Sequence, residues 1–241
     1  MAYPLFLTVQ RVPSPEDIPD LRRRLEIAFP HSENRIYLDE LCRSPLPPVT
    51  ARRFGALSLL PALLSAAGVD STALILRRDG HGRPYCETAD GTRPFCGLLG
   101  APSSLDFNLS HSDSHVAAAL MVGDGRVGVD IEEPIPPPRA LPLLRRFCTE
   151  GELAVLEDAP DDETIAASFF TATWVLREAL SKQEGGGMPL RFDTARIPAD
   201  VWSWIGHLPH TDTAIALCAP KQNAPHAPRL TADSIPISVQ S

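Results

Sequence analysis

An α+β fold is what this sequence predicts, and three observations point to it. The chain has 241 residues, 44% of them hydrophobic, enough for one large domain or two small packed ones with a real core. Short segments alternate between apolar and polar residues, two of them joined through Asp124-Gly125, a strong hairpin signal. Between these strand-like segments lie longer runs with helical spacing, so that each half of the chain reads as helix plus antiparallel strands.

Taken in order, a first strand is expected at Leu5 to Gln10, where Leu5, Leu7 and Val9 alternate. Helices follow near Asp20 to Phe29 and Thr50 to Ala67, the second broken or kinked by Pro61. Residues 72–78 read as a strand running into a turn, DGHGRPYC, whose Gly80, Gly82 and Pro84 forbid a helix. Three β segments come next, ending near Ser112 and covering 115–123 and 126–133. The proline cluster IPPPRALP reads as a rigid connector and the best boundary between two halves. Thr149, with Glu152 three positions on, forms a capping-box pattern. A long helix is expected from about Asp162 to Gln183, stopped by Gly185-Gly186-Gly187. Short strands are expected near Val201 to Ile205 and Thr213 to Cys218, and a loosely held tail from Lys221. The division is thus 1–133, 134–220 and a tail of 221–241.

Charge narrows the partners. Basic residues number 22 and acidic residues 30, a net charge of −8. Twelve arginines balance twelve acids in residues 1–110, so the acidic excess lies entirely in 111–241. That balance disfavours wholesale nucleic-acid binding. The pairs Arg52-Arg53 and Arg77-Arg78 could engage a phosphate, although a solvated face fits them equally. No stretch reaches the ~18 apolar residues of a membrane span, and the N-terminus has no secretory pattern, so the expectation is a cytoplasmic protein. Five scattered cysteines without a C-x-x-C pair argue for reduced thiols over a disulfide framework or a zinc site. Only two lysines occur, Lys182 and Lys221, which makes each position notable.

Three segments carry candidate chemistry. In VGVDIEE, strand alternation puts Val127, Val129 and Ile131 on one face and Gly128, Asp130 and Glu132 on the other. Two carboxylates projecting together call for a cation, and hard oxygen donors suit magnesium; a merely wetted polar face fits the same pattern. On the long helix Trp174, Glu178 and Lys182 recur every four residues, with Arg177 beside them. An ordinary Glu-to-Lys surface pair next to a core tryptophan would look the same. FNLSHS puts Asn108, Ser110 and Ser112 on one face and Leu109 and His111 on the other. His111 at a strand end could donate to a phosphate, or be a satisfied structural histidine. Arg83, on the loop GRPY, could hold an anion bidentately.

Read together, GRPY (82–85), FNLSHS (107–112), VGVDIEE (127–133), RRFCTEGEL (145–153) and WVLREALSKQEGGGM (174–188) resemble the motifs of the 4'-phosphopantetheinyl transferases. The resemblance is to the larger, single-chain class that activates peptide and polyketide synthetases and fatty acid carriers. D-x-E followed some forty-five residues later by W-x-x-[KR]-E-A-x-x-K is far more specific than either piece alone.

The resemblance implies two pseudo-symmetric α+β halves packed as a pseudo-dimer within one chain, with coenzyme A between them. It implies magnesium, or manganese, on Asp130, Glu132 and Glu178, with Glu178 also the general base. Lys182 would lie next to the coenzyme A phosphates, His111 would contact the nucleotide 3'-phosphate, and Arg83 and Ser110 would belong to the same pocket. Arg53, at the start of a helix in RFGAL, is the match for a further phosphate-binding residue. Arg177 stands where a lysine is usual, preserving charge but not geometry. The implied reaction transfers phosphopantetheine from coenzyme A to a serine of an apo acyl or peptidyl carrier protein, by a monomer. Two other readings stay open: a non-catalytic relative that binds coenzyme A or carrier, and another magnesium-dependent nucleotide pyrophosphate enzyme.

Overall fold

The structure is a computed structural model describing residues 4–96, 103–154, 163–185, 197–209, 211–221, 228–230, 234 and 238–239. Along the chain run β1 (Leu5–Arg11), α1 (Ile18–Ala28), α2 (Ser32–Leu41), α3 (Pro47–Ser58), α4 (Leu60–Ala66), β2 (Leu74–Arg78), β3 (Pro84–Thr88), β4 (Phe95–Cys96), β5 (Ser103–His111), β6 (His115–Val122) and β7 (Gly128–Glu132). Then come α5 (Pro137–Phe147), α6 (Glu150–Ala154), α7 (Glu163–Glu184), β8 (Val201–His207), β9 (Ala214–Pro220), β10 (Arg229–Leu230) and β11 (Ser238–Val239). The fold is α+β, with helices packed on antiparallel sheets.

Strand alternation builds the layers. In β1, Leu5, Leu7 and Val9 face one way and Phe6 the other; in β6, Ala117, Ala119 and Met121 oppose Val116, Ala118, Leu120 and Val122. The second set packs under α1 to α4, against Leu25, Phe54, Leu60 and Leu63. The first set meets Val127, just before β7, Val129 and Ile131 of β7, and Ile215, Leu217 and Ala219 of β9. Two sheets thus lie face to face, ordered β10-β1-β6-β5-β4 and β11-β8-β9-β7. The outer face of the second sheet, Ala214, Ala216 and Cys218, is covered by Val175, Leu176, Ala179 and Leu180 of α7. The same order of parts occurs twice: a strand, helices, then a hairpin whose second strand pairs back to the first, giving β1-β6-β5 and β7-β9-β8.

Several expectations shift. β7, placed at the end of the first half by sequence, is hydrogen-bonded to β9 over Gly128↔Cys218 to Glu132↔Ala214 and belongs to the second sheet. IPPPRALP is no connector: Pro136 to Pro138 start α5, at the cap and first helical positions where a missing N–H removes no helical bond, and Pro142 lies inside the helix. The helix expected over 50–67 is two, α3 and α4, with Pro61 in the first turn of the latter. α2 was not among the expected helices; Tyr37, Leu38 and Leu41 bury one face of it in the core, and Asn34 on the same face docks it by donating to Phe29 and Leu74 carbonyls and accepting from Leu76 N–H at 2.7 Å. Parts of the expected tail pair with the sheets, β10 parallel to β1 and β11 antiparallel to β8. Asp162, Gly186 and Gly187 lie outside the described residues; α7 closes at Gly185, whose φ of 80° is the left-handed region glycine tolerates.

Candidate active site

One glycine lets the site form. A Cβ on Gly128 would sit 1.8 Å from the Ala179 carbonyl oxygen, so only glycine permits β7 and α7 to lie this close. On β7 the polar face starting at Gly128 continues with Asp130 and Glu132 and turns toward the helix that carries Glu178 and Lys182, one turn apart. The outer edge of β7 is held by β5: Val127 N–H donates to Asp106 Oδ2 at 2.8 Å and Val129 N–H to Asn108 Oδ1 at 3.0 Å. Strand β5 is thereby locked beside β7 without a backbone ladder between them.

Asp130 is the buried centre of the cluster. Its Oδ1 accepts from Lys182 Nζ at 2.6 Å and from Ser110 Oγ at 2.8 Å. Lys182 Nζ also lies 3.1 Å from Ser110 Oγ and donates to the Val129 carbonyl at 3.2 Å. Asp130 Oδ2 is buried with no hydrogen-bond partner among the described residues. Glu132 is pushed up to about 7 by burial first, then by Asp130, Glu133 and Glu178. Glu178 is raised by burial and by Asp130, against the pull of Lys182. Two carboxyls, Glu132 and Glu178, whose proton affinity is raised by burial and by Asp130, and a buried oxygen without a donor are the environment a cation would relieve. Among the described residues no three acidic, histidine or cysteine side chains converge as a ready metal cage. The donor set fits a hard divalent ion, with Asp130 Oδ2 the atom that lacks a partner.

One cleft opens beside this cluster and meets a second at Pro84 and Leu109. The first, of about 460 Å³, is bordered by Glu178, Ser181, Lys182 and Asn108. The other, of about 480 Å³, is bordered by Tyr37, Arg43, Arg53, Arg78 and His111. His111 sits at its rim with a pKa lowered by burial and then by the positive Arg52, Lys182 and Arg53. Beyond burial, the downward pull of three cations on His111 marks a positive field suited to an anion. Arg78 also stacks over the Tyr37 ring at 4.8 Å and donates to the Gly82 carbonyl. Sequence reasoning noted Arg78 only within a pair and missed Arg43; no local pattern marks either, since the cleft is assembled from α2, α3, β2 and β5.

Other candidates are placed differently from expectation. Arg83 borders the cleft beside Lys182 and not the one at His111, and its guanidinium is engaged within the protein, donating to Asp106 Oδ2 at 2.5 Å and to the Val127, Phe107 and Lys182 carbonyls. Ser110 uses its hydroxyl on Asp130. Arg177 turns away from Glu178 into the protein, where it pairs with Glu152, both 2% exposed. Glu152 in turn caps α6 by accepting from Thr149 N–H at 2.8 Å, the capping box read from sequence. Trp174 packs on Phe147 and Phe170, its ring centroid 5.5 and 5.7 Å from theirs. Glu133, not singled out by sequence, gathers the β5–β6 turn by accepting from Ser112 Oγ at 2.6 Å, Asp113 N–H at 3.0 Å and Ser114 N–H at 2.8 Å.

The strand-and-helix acids on this α+β frame define a class. Residues 126–218, from just before β7 into β9, match the sequence profile of the 4'-phosphopantetheinyl transferase superfamily. Among similar proteins, a 4'-phosphopantetheinyl transferase of Paxillus involutus is 31% identical over 160 residues, covering 60% of this chain and 56% of that protein. The 4'-phosphopantetheinyl transferase Sfp of Bacillus subtilis strain 168 is 33% identical over 88 residues, 36% of this chain and 37% of its own length. The ffp transferase of Bacillus subtilis is 34% identical over 88 residues, with the same coverage. The chain therefore spans between about a third and just over half the length of these relatives. No helix among the described residues is long and apolar enough to cross a membrane.

Proposed function

We propose that this protein transfers the 4'-phosphopantetheine arm of coenzyme A to a serine of an apo acyl or peptidyl carrier protein, as a member of the larger class of the superfamily. One observation carries the reading: Lys182 of a helix pairs with Asp130 of a distant strand, and with Glu178 it borders a cleft that adjoins, at Pro84 and Leu109, a second one lined by Arg43, Arg53, Arg78 and His111. The names of the similar proteins support it.

Arg43, Arg53, Arg78 and His111 would bind the nucleotide end of coenzyme A, with His111 on its 3'-phosphate. The pyrophosphate would then lie toward Lys182 and the acids, past Pro84 and Leu109 where the clefts meet. Asp130, Glu132 and Glu178 would hold magnesium, which when bound supplies neutralisation of charge on the pyrophosphate oxygens. Glu178, with its raised proton affinity, takes the proton of the incoming serine hydroxyl, directly or through water. The serine oxygen bonds to the β-phosphorus as the bond to the bridging oxygen breaks, and adenosine 3',5'-bisphosphate leaves. Lys182 faces the charge that grows on this leaving group. The carrier brings the nucleophile, so none is required of this chain.

Incubation with coenzyme A, magnesium and an apo carrier should raise the carrier's mass by one phosphopantetheinyl group. Glu178→Gln and Asp130→Asn should nearly abolish that gain while far-ultraviolet circular dichroism stays unchanged. Release of adenosine 3',5'-bisphosphate without a modified carrier would select a pyrophosphohydrolase instead. Coenzyme A binding with no turnover would select a non-catalytic relative.

A further inference from the structure

Arg83 is buried, with 11% of its side chain exposed, and its donors join three elements. Nη2 donates to Asp106 Oδ2 and the Phe107 carbonyl of β5 at 2.5 and 3.0 Å, and to the Val127 carbonyl before β7 at 2.7 Å. Nη1 donates to the Lys182 carbonyl. That carbonyl lies in the last turn of α7, where the final four carbonyls of a helix lack helical partners and the helix dipole favours a cation. Asp106 completes the knot, since the same Oδ2 accepts from Val127 N–H at 2.8 Å. A planar fork suits this set of acceptors, and a lysine could not reach them together.

Resting on the function proposed above, we propose that Arg83 is a positioning residue: it fixes the last turn of α7 against β5 and β7 and so sets the Lys182 ammonium on Asp130, Ser110 and the Val129 carbonyl. It acts through Lys182 and makes no contact of its own with the nucleotide anion. The role depends on the fork geometry, so charge alone does not replace it.

The chain's two lysines make a direct test. Lys182 is held in the knot, whereas Lys221 is exposed. In limited acetylation with acetic anhydride, read by peptide mass mapping, parent Lys182 should react at least fivefold more slowly than Lys221. Arg83→Gln should erase most of that protection, with the Lys221 rate in the same sample unchanged. Arg83→Lys should behave the same way at position 182. Unchanged protection of Lys182 in both variants would overturn the proposal, and this readout does not depend on any transfer activity.

Kinetics give a second readout. Both variants should lose at least tenfold in kcat, equally with coenzyme A and with its 3'-dephospho form, and Arg83→Gln should cost little more when Lys182→Ala is already present. A selective rise in KM for coenzyme A over the dephospho form, with activity retained by Arg83→Lys, would make Arg83 an anion contact. A lowered thermal midpoint with parent kcat would leave it merely structural. A parent that modifies no carrier would refute the proposed function while the acetylation result still decides the role of Arg83.

Discussion

Glu132 and His111 are the residues whose ionisation most directly reports on this site. The Glu132 pKa rises from an ordinary 4.5 to about 7 on folding. Between those values the folded chain holds a proton the unfolded chain lacks, so metal-free stability falls as pH rises through that window. Glu132→Gln removes the effect: its thermal midpoint should exceed the parent's at pH 8 and match it at pH 4. An equal difference at both pH values would show that Glu132 is not held in this repulsive cluster. Added magnesium should raise the parent midpoint at pH 8 and the variant's far less. His111→Ala removes a charge-assisted contact worth about 1.5–3 kcal/mol. Calorimetric titration should therefore show weaker binding of coenzyme A and little change for its 3'-dephospho form; equal losses would make His111 structural.

At the scale of elements, the site depends on how closely β7 approaches α7. The methyl group of Gly128→Ala would overlap the Ala179 carbonyl and lie 2.7 Å from Gln183 N, atoms of helix backbone that cannot move singly. The helix must shift away, carrying Glu178 and Lys182 with it. The expected result is a stability loss of about 1–3 kcal/mol in urea unfolding, together with a fall in transfer rate of the size seen for Glu178→Gln. Parent-like transfer would mean that the helix position is not critical. Element boundaries also show where local patterns reach their limit. The alternation of Val127, Val129 and Ile131 against Asp130 and Glu132 named the faces of β7 correctly. The prolines of 135–142 read as a connector because a proline-started helix looks locally like a turn until its later turns find a core, here Ala140 and Leu144 against Phe170.

For the whole molecule, the face-to-face packing of two sheets into one apolar layer should make unfolding a single event. Leu5, Leu7 and Val9 of the first sheet share that layer with Val129, Ile131, Ile215 and Leu217 of the second. All three tryptophans, Trp174, Trp202 and Trp204, lie on α7 and β8, and Trp204 packs in the shared layer, so their fluorescence reports on the second half and its contact with the first. Leu7→Ala, in the first half, should lose about 2–5 kcal/mol and move the tryptophan transition and the far-ultraviolet transition together. A tryptophan transition left at its parent midpoint would show that the halves unfold independently.

Residue chemistry at short range was legible in the sequence: the strand faces, the Thr149–Glu152 cap, and the four-residue recurrence of Glu178 and Lys182 follow from backbone periodicity, which neighbours along the chain set by themselves. Those motifs also carried the resemblance to the superfamily. What only the tertiary structure decided is which groups face one another. It set Lys182 on Asp130, turned Arg177 inward to Glu152, brought Arg43 and Arg78 beside His111, and tied the Arg83 guanidinium into a knot of carbonyls. The physical reason is that a long cationic side chain goes to the nearest desolvated acceptors. Those acceptors come from strands and helices far apart in the chain, so no local pattern announces them.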